Sequence, residues 1–315
     1  MTMRVLTALG GNAILQRGQR GTVAEQRENV QRAVDQLVRM IAAGHQVVVT
    51  HGNGPQVGAI LIQNELGSVS VPSMPMDICD AESEGFIGYM LCQSFQNTLL
   101  ARGITGKDPA CILTRVEVDP SDPAFAHPTK PVGPFSTEER ARARMAETKE
   151  TWVDDAGRGW RRVVPSPDPQ AIVERDVIVA LIEKGFTVIA SGGGGIPVIR
   201  KPDGMYEGVE AVIDKDLAGH CLAEAVHADL FIILTDVPKV AVHYNTPDQR
   251  WLDRVTLLEM EAFEREGHFK AGSMGPKVKA ALRFVRGGGE RAVIASLDEA
   301  LEALEGRAGT QIVGG

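Results

Sequence analysis

The sequence predicts an α/β protein, a three-layer α/β/α sandwich around a mostly parallel central sheet, arranged as two lobes with a small protruding lid. Three observations carry that prediction. Short β-branched runs alternate with stretches of helical apolar spacing, the pattern that builds parallel sheets covered on both faces. Several of these runs end on glycine-rich turns. The chain has 315 residues, more than one core usually holds at about 150 residues per domain, and a proline-broken tract interrupts the repeat midway.

Arg4-Val5-Leu6-Thr7-Ala8-Leu9 reads as a buried strand ending on Gly10-Gly11-Asn12. Val30, Ala33, Val34, Leu37, Val38 and Ile41 recur at three- and four-residue steps and make one helical stripe, which Gly44 closes as a C-terminal cap. Gln46-Val47-Val48-Val49-Thr50 is a second strand, and it ends on His51-Gly52-Asn53-Gly54. Pro55 then opens a helix through Val57, Ile60, Leu61 and Asn64.

After Arg115 the pattern breaks at Pro120, Pro123, Pro128, Pro131 and Pro134, and a charged stretch follows over 138–150. Trp152, Val153, Trp160, Val163 and Val164 supply material for a small β-rich core, so the tract reads as an inserted lid, with a disordered excursion as the alternative. A helix over 171–184 resumes the repeat. Strand Phe186-Thr187-Val188-Ile189-Ala190 ends on Ser191 and four glycines, 192–195, and strand Leu230-Phe231-Ile232-Ile233-Leu234 ends on Thr235-Asp236. Residues 287–289 form a loop before a last clear strand over 291–295, which a short helix over 297–304 follows. The lobes are therefore 1–115 with 166–185, and 186–315, and the lid spans 116–165.

Composition excludes several classes of function. Hydrophobic residues at 43% and charged residues at 23% are ordinary for a globular chain, which argues against disorder or a coiled coil. A net charge of −8 without a dense basic run gives a phosphate backbone no reason to bind, so no nucleic-acid partner is expected. Cys79, Cys92, Cys111 and Cys221 are widely spaced and form no C-x-x-C pair, so neither a zinc site nor a disulfide framework is indicated. No signal-like segment and no apolar run of the ~18 residues that span a bilayer is seen, so the reading is a cytoplasmic protein without a membrane partner.

The three glycine turns, Gly10-Gly11-Asn12, Gly52-Asn53-Gly54 and 192–195, each follow a strand and approach a further element taken as a helix. Glycine lets the backbone come close to a ligand, and N–H groups at a helix start attract anionic oxygens. A tight turn alone would account for any one of them. No G-x-x-x-x-G-K-[ST] occurs, and the spacing around Gly52 does not fit G-x-G-x-x-G, which demotes P-loop and dinucleotide chemistry. Lysines beside turns remain: Lys215 in Ile213-Asp214-Lys215-Asp216, Lys277 after Gly272-Ser273-Met274-Gly275-Pro276, and Lys130 in the insert. Phosphoryl transfer needs cations to neutralise charge on the equatorial oxygens, and lysine supplies a mobile point charge. Each lysine alone could be a solvated surface residue. The seven histidines make no catalytic arrangement, and His51 either touches substrate or packs beside its turn.

In order along nearly the whole chain, Ala8-Leu9-Gly10-Gly11-Asn12-Ala13, His51-Gly52-Asn53-Gly54-Pro55-Gln56-Val57-Gly58, Thr129-Lys130-Pro131-Val132-Gly133-Pro134-Phe135, Arg161-Arg162-Val163-Val164-Pro165-Ser166-Pro167, Ser191-Gly192-Gly193-Gly194-Gly195-Ile196-Pro197, Ile213-Asp214-Lys215-Asp216 and Gly272-Ser273-Met274-Gly275-Pro276-Lys277 resemble the carbamate kinases of the amino acid kinase superfamily. The resemblance implies reversible phosphoryl transfer between carbamoyl phosphate and ADP, giving ATP and carbamate, which decomposes to ammonia and carbon dioxide. It implies Mg²⁺ with ATP or ADP, held mainly by the nucleotide phosphates, and a homodimer. Lys130, Lys215, Asp216 and Lys277 would be catalytic, with Asp216 orienting lysines. Gly10, Gly11, Asn12, Gly52, Asn53 and Gly54 would surround the transferring phosphoryl. Gly193, Gly194, Asp214, Lys215, Asp236, Val237, Tyr244, Met274 and Lys277 would hold the nucleotide. Acetylglutamate kinases carry a lysine where this chain has Ala8, and the resemblance implies that Lys130 reaches across to replace it. The alternatives are another enzyme of the superfamily acting on a different small acid or phosphate, and a nucleotide-sensing protein without chemistry.

Overall fold

The computed structural model describes residues 2–148, 150–155, 157–270 and 272–314. Alternation inside the apolar runs decides the architecture. Val5 and Leu9 face one hydrophobic cluster while Leu6 and Ala8 face another; Val47 and Val49 against Val48, and Leu230, Ile232 and Leu234 against Phe231 and Ile233, divide in the same way. A strand buried on both faces has no polar side, which is why these runs read as continuously apolar. Helices Val23–Ala42, Met76–Ala101 and Ala300–Leu304 cover one face, and Arg175–Glu183, Lys215–Ala225, Leu257–Arg265 and Met274–Arg286 cover the other.

The sheet has eight strands in the order Arg254–Thr256, Thr310–Val313, Arg291–Ser296, Leu230–Thr235, Arg4–Leu9, Gln46–His51, Thr187–Ala190 and Pro109–Ile112. Every neighbouring pair is parallel except Arg291–Ser296 with Thr310–Val313. Strands from both sequence-expected lobes thus join one continuous sheet. Helix Val23–Ala42 starts at a capping box, in which Thr22 and Glu25 satisfy each other's backbone N–H groups. It stops where Gly44 takes φ +93°, a left-handed turn that glycine reaches without strain.

Several sequence expectations are corrected. The helix expected over 171–184 begins only at Arg175. The preceding Pro169–Ile172 is a strand paired antiparallel with Arg115–Val118, because prolines at 165, 167 and 169 hold the backbone extended and an edge is there to receive it. The strand over 291–295 is not the last, since Thr310–Val313 returns beside it. Residues 297–304 divide into a 3₁₀ turn and a five-residue α-helix. The 26-residue helix Met76–Ala101 was not visible in the sequence, because Asp80, Ser83, Glu84 and Ser94 lie on its buried side and erase the apolar stripe.

The insert contains strands Lys130–Ser136, Trp160–Val164 and Thr151–Asp154 in one antiparallel sheet, backed by helix Glu138–Glu147. It has the β-rich character expected, and of the residues expected in its core Val163 and Val164 are buried while the others are not. Trp152 and Trp160 are only half-buried and Val153 is 40% exposed. Val164, with Val132, packs against Val57, Met76, Cys79 and Val212, so the insert's apolar side is completed by the main body.

Candidate active site

Four neighbouring strands of the sheet, Leu230–Thr235, Arg4–Leu9, Gln46–His51 and Thr187–Ala190, run parallel, so the turns that follow them emerge along one edge. Ligands of open α/β sheets gather outside such carboxyl ends. The turns hold one another: Gly10 N donates to Leu234 O at 3.0 Å, Gly52 N to Leu9 O at 3.0 Å, and Thr50 Oγ1 to Ser191 O at 2.7 Å. Close approach explains the glycines. A Cβ at Gly52 would lie 3.1 Å from Gly11 N and 3.2 Å from Lys215 Cδ, and one at Gly193 would lie 2.2 Å from Asn53 Nδ2, at a φ of +70°. Of the three glycine turns only that at 52–54 enters an α-helix directly, Gly54–Gly67. The 10–12 turn enters a single 3₁₀ turn, and the 192–195 turn leads into strand Ile196–Arg200, contrary to the helix expected there.

Three lysines from distant parts of the chain meet at this edge. Asp214 caps helix Lys215–Ala225, and its Oδ1 accepts from Asp216 N at 3.0 Å. Its Oδ2 takes the Lys130 ammonium at 2.8 Å, 84 residues away in sequence. Asp216, 3% exposed, receives Lys215 Nζ at 2.5 Å on one oxygen and Lys277 Nζ at 3.0 Å on the other. Burial would raise the Asp216 carboxyl, but the two ammonium groups outweigh it and hold the group below its usual range. Burial pulls the Lys215 ammonium down and the charge of Asp216 opposes that pull. With three ammonium groups on two carboxylates, the cluster keeps one unit of positive charge in excess. Ala8, at the end of its strand, is fully buried and brings no charge.

A cavity of about 1070 Å³ opens beside the cluster. Gly10, Gly11, Asn12, Lys215 and Lys277 line one part of it, and Asp236, Val237, Tyr244 and Met274 line another. Asn12 Nδ2 donates to Asp236 Oδ2 at 3.1 Å, which ties the first glycine turn to the wall. Gly193 and Gly194, expected with the nucleotide, are not among the lining residues. They are buried against Asn53 and Ile213, on the side of the 52–54 turn, because the chain leaves them as a strand and not as a helix pointing into the cavity. Lys130, Asp214 and Asp216 are likewise not among the lining residues; Asp216 reaches the cavity through Lys215 and Lys277, which line it.

A polar layer beneath these turns has no counterpart in the sequence reading. Asn53 Nδ2 donates to Ser83 Oγ at 2.8 Å and Asp80 Oδ1 at 3.3 Å. Gly192 N and Thr114 N donate to the two oxygens of Glu84 at 2.8 and 3.1 Å. Burial lifts the Glu84 carboxyl to about 8, against the pull of these N–H groups, and raises Asp80 strongly as well. The available signal was polar residues at positions 80, 83 and 84, spaced to share one side of a helix. His51 is fully buried, its Nδ1 donates to Gly52 O at 3.1 Å, and burial lowers its pKa to about 4, so it packs as a neutral ring outside the cavity lining.

Among the described residues no group of three His, Cys, Asp or Glu side chains could hold a metal ion, and no helix is long and apolar enough to cross a membrane.

The model of the amino acid kinase family matches residues 3–296. The chain is 59% identical over 313 residues to the carbamate kinase of Thermococcus kodakarensis, covering 98% of this chain and 99% of that one. It is 55% identical over 316 residues to the carbamate kinase of Pyrococcus horikoshii, covering 99% of each. The structure of the carbamate kinase from Giardia lamblia bound to AMP-PNP superposes with a TM-score of 0.95 at 46% identity, covering 100% of this chain and 99% of that one.

Proposed function

This chain belongs to the amino acid kinase family and within it to the carbamate kinases, and from that premise we propose how its own residues move a phosphoryl group between carbamoyl phosphate and ADP. It is a phosphotransferase, and the products in the ATP-forming direction are ATP and carbamate, which breaks down to ammonia and carbon dioxide. Identity above one half over the full length, to relatives named for carbamate, disfavours another acid acceptor or a sensing role.

The observation that carries the site assignment is the bridge in which Asp216 holds Lys215 and Lys277 beside the glycine turns. The phosphoryl group bonds to a β-phosphate oxygen of ADP as its bond to the carbamate oxygen breaks, and the bonding pair leaves with carbamate. Charge spreads over the three equatorial oxygens during transfer, so fixed cations and N–H groups do most of the work. Lys215 and Lys277 contact the nucleotide phosphates. The 10–12 and 52–54 turns surround the transferring group, the latter at the amino end of helix Gly54–Gly67. Lys130 supplies the third cation, where Ala8 supplies none. Val237, Tyr244 and Met274 flank the purine.

Mg²⁺ would be held mainly by the nucleotide phosphates and would supply neutralisation of part of their charge, since the described residues offer no carboxylate cage of their own. Residues 116–165 act as a lid over a carbamoyl phosphate lobe, 1–115 with 166–185, and a nucleotide lobe, 186–315. The pairs Lys130–Asp214, Arg140–Glu65 and Arg162–Glu210 support that reading by tying the insert to the body. A homodimer is supported by Ile78, Phe86 and Tyr89, exposed on helix Met76–Ala101, with exposed Leu113 beside Gly85. Four free cysteines support a reducing, cytoplasmic setting.

The test is ATP formation from ADP, carbamoyl phosphate and Mg²⁺, run beside Lys215→Ala and Lys277→Ala. Rapid formation that both substitutions suppress supports the assignment. Full activity in either variant removes that lysine from the mechanism.

A further inference from the structure

We propose that Glu84 is a positioning residue for phosphoryl transfer, acting through the 192–195 turn; the inference rests on the reaction given above. Glu84 lies in the first half of helix Met76–Ala101 at 1% exposure, where an acidic side chain is costly unless something holds it. Its two oxygens are used on two different segments, Gly192 N at 2.8 Å and Thr114 N at 3.1 Å. Thr114 continues the clamp, since its Oγ1 accepts from Ser191 N at 2.8 Å and its carbonyl accepts from Ile196 N at 2.8 Å. The turn is therefore gripped at residues 191, 192 and 196. Ser191 is held in a left-handed conformation, φ +54° and ψ +37°, that a free serine rarely adopts.

What the gripped turn touches gives the clamp its consequence. Gly193 lies so close to Asn53 that a Cβ would fall 2.2 Å from Nδ2, and Gly194 lies so close to Ile213 that a Cβ would fall 2.4 Å from its carbonyl oxygen. Asn53 belongs to the turn that surrounds the phosphoryl group. Ile213 precedes Asp214, which pairs with Lys130 and caps the helix that Lys215 begins. One buried carboxyl thus sets the separation between the glycine turns and the lysine cluster without touching substrate. Val237, Tyr244 and Met274, which also line the cavity, receive none of these contacts.

Glu84→Gln tests this, because the amide keeps size and one acceptor but faces an N–H donor with another donor. The expected result is a fall in kcat of about tenfold to hundredfold, as misplacement of reacting groups by a fraction of an ångström to an ångström produces, with KM for ADP within about twofold of the parent, as only the phosphate end is disturbed. Amide hydrogen exchange across 191–196 should quicken. Ser94→Ala is the control: Ser94 sits on the same helix and donates to Gln31 at 2.6 Å, away from the turn. It should change the melting temperature and leave both kcat and exchange at 191–196 alone. Unchanged kcat in Glu84→Gln, or equal kcat losses in both variants, overturns the proposal. A parent enzyme that forms no ATP overturns the reaction instead, and the exchange readout still decides whether Glu84 holds the turn.

Discussion

Replacing Asp216 by asparagine isolates what one buried carboxyl does for two cations. Its side chain is 4% exposed and those of Lys215 and Lys277 are each 15% exposed, so little water can take over its role. Breaking a buried pair by removing one partner costs roughly 3–5 kcal/mol. The lower end, about 3 kcal/mol, applies here because both lysines keep some solvent and Asp214 still attracts Lys215. When anionic phosphates bind they compensate the two ammonium groups, so ground-state affinity survives, whereas the fixed aim of the lysines during transfer does not. The cost of breaking the pair is read in the melt of the unliganded protein; for turnover, loss of the fixed aim of two cations at developing charge should lower kcat by about two orders of magnitude, with KM for ADP near the parent value or below it. The assay couples ATP formation to light emission over a range of ADP concentrations, beside thermal melts of the unliganded protein. A kcat within about threefold of the parent with an unshifted melt would refute the orienting role; a large rise in KM with kcat intact would make Asp216 a binding contact.

Lys130→Ala should lower turnover by about a hundredfold to a thousandfold, the scale of losing one fixed donor at developing charge, while calorimetry shows nearly unchanged ADP affinity. Equal losses in both would place Lys130 on the nucleotide. For His51, the unfolded ring binds a proton near pH 6.5 and the buried ring only near pH 4, so its contribution to stability is complete above 6.5 and lost as pH falls towards 4. Relative to His51→Gln, the parent should lose about 3 kcal/mol of unfolding free energy across that window, measured by urea denaturation; parallel pH profiles would refute it. Tyr89→Glu, at a side chain 56% exposed, should shift the sedimentation velocity profile from dimer to monomer, and a profile identical to the parent's would move the interface elsewhere.

The site was legible where local rules decide the backbone. Gly10, Gly52 and their neighbours follow short apolar strands, and parallel pairing alone brings turns at such strand ends to one edge. Lys130, Lys215 and Lys277 stood out as lysines beside turns, and the structure brings them onto Asp214 and Asp216. Glu84 was not legible. A buried glutamate reads as a defect in an apolar helix until its partners, Gly192 and Thr114, are known, and they are 108 and 30 residues away. The resemblance places Gly193 and Gly194 with the nucleotide, whereas the structure sets them against Asn53 and Ile213, and a glycine run after a strand reads the same in sequence whether a helix or another strand comes next.

By itself, the sequence determined the alternation of strand and helix, the glycine turns at strand ends, the insert and the identities of the cations, since each depends on neighbours within a few residues. Tertiary structure alone decided which faces of those elements meet. It made one continuous sheet of strands from both expected lobes, completed the insert's core with Val57, Met76 and Cys79, paired Thr310–Val313 with Arg291–Ser296, and buried Glu84 beneath a turn. These are contacts between residues tens to hundreds of positions apart, and their free energy depends on burial and on partners that no local window of the chain contains.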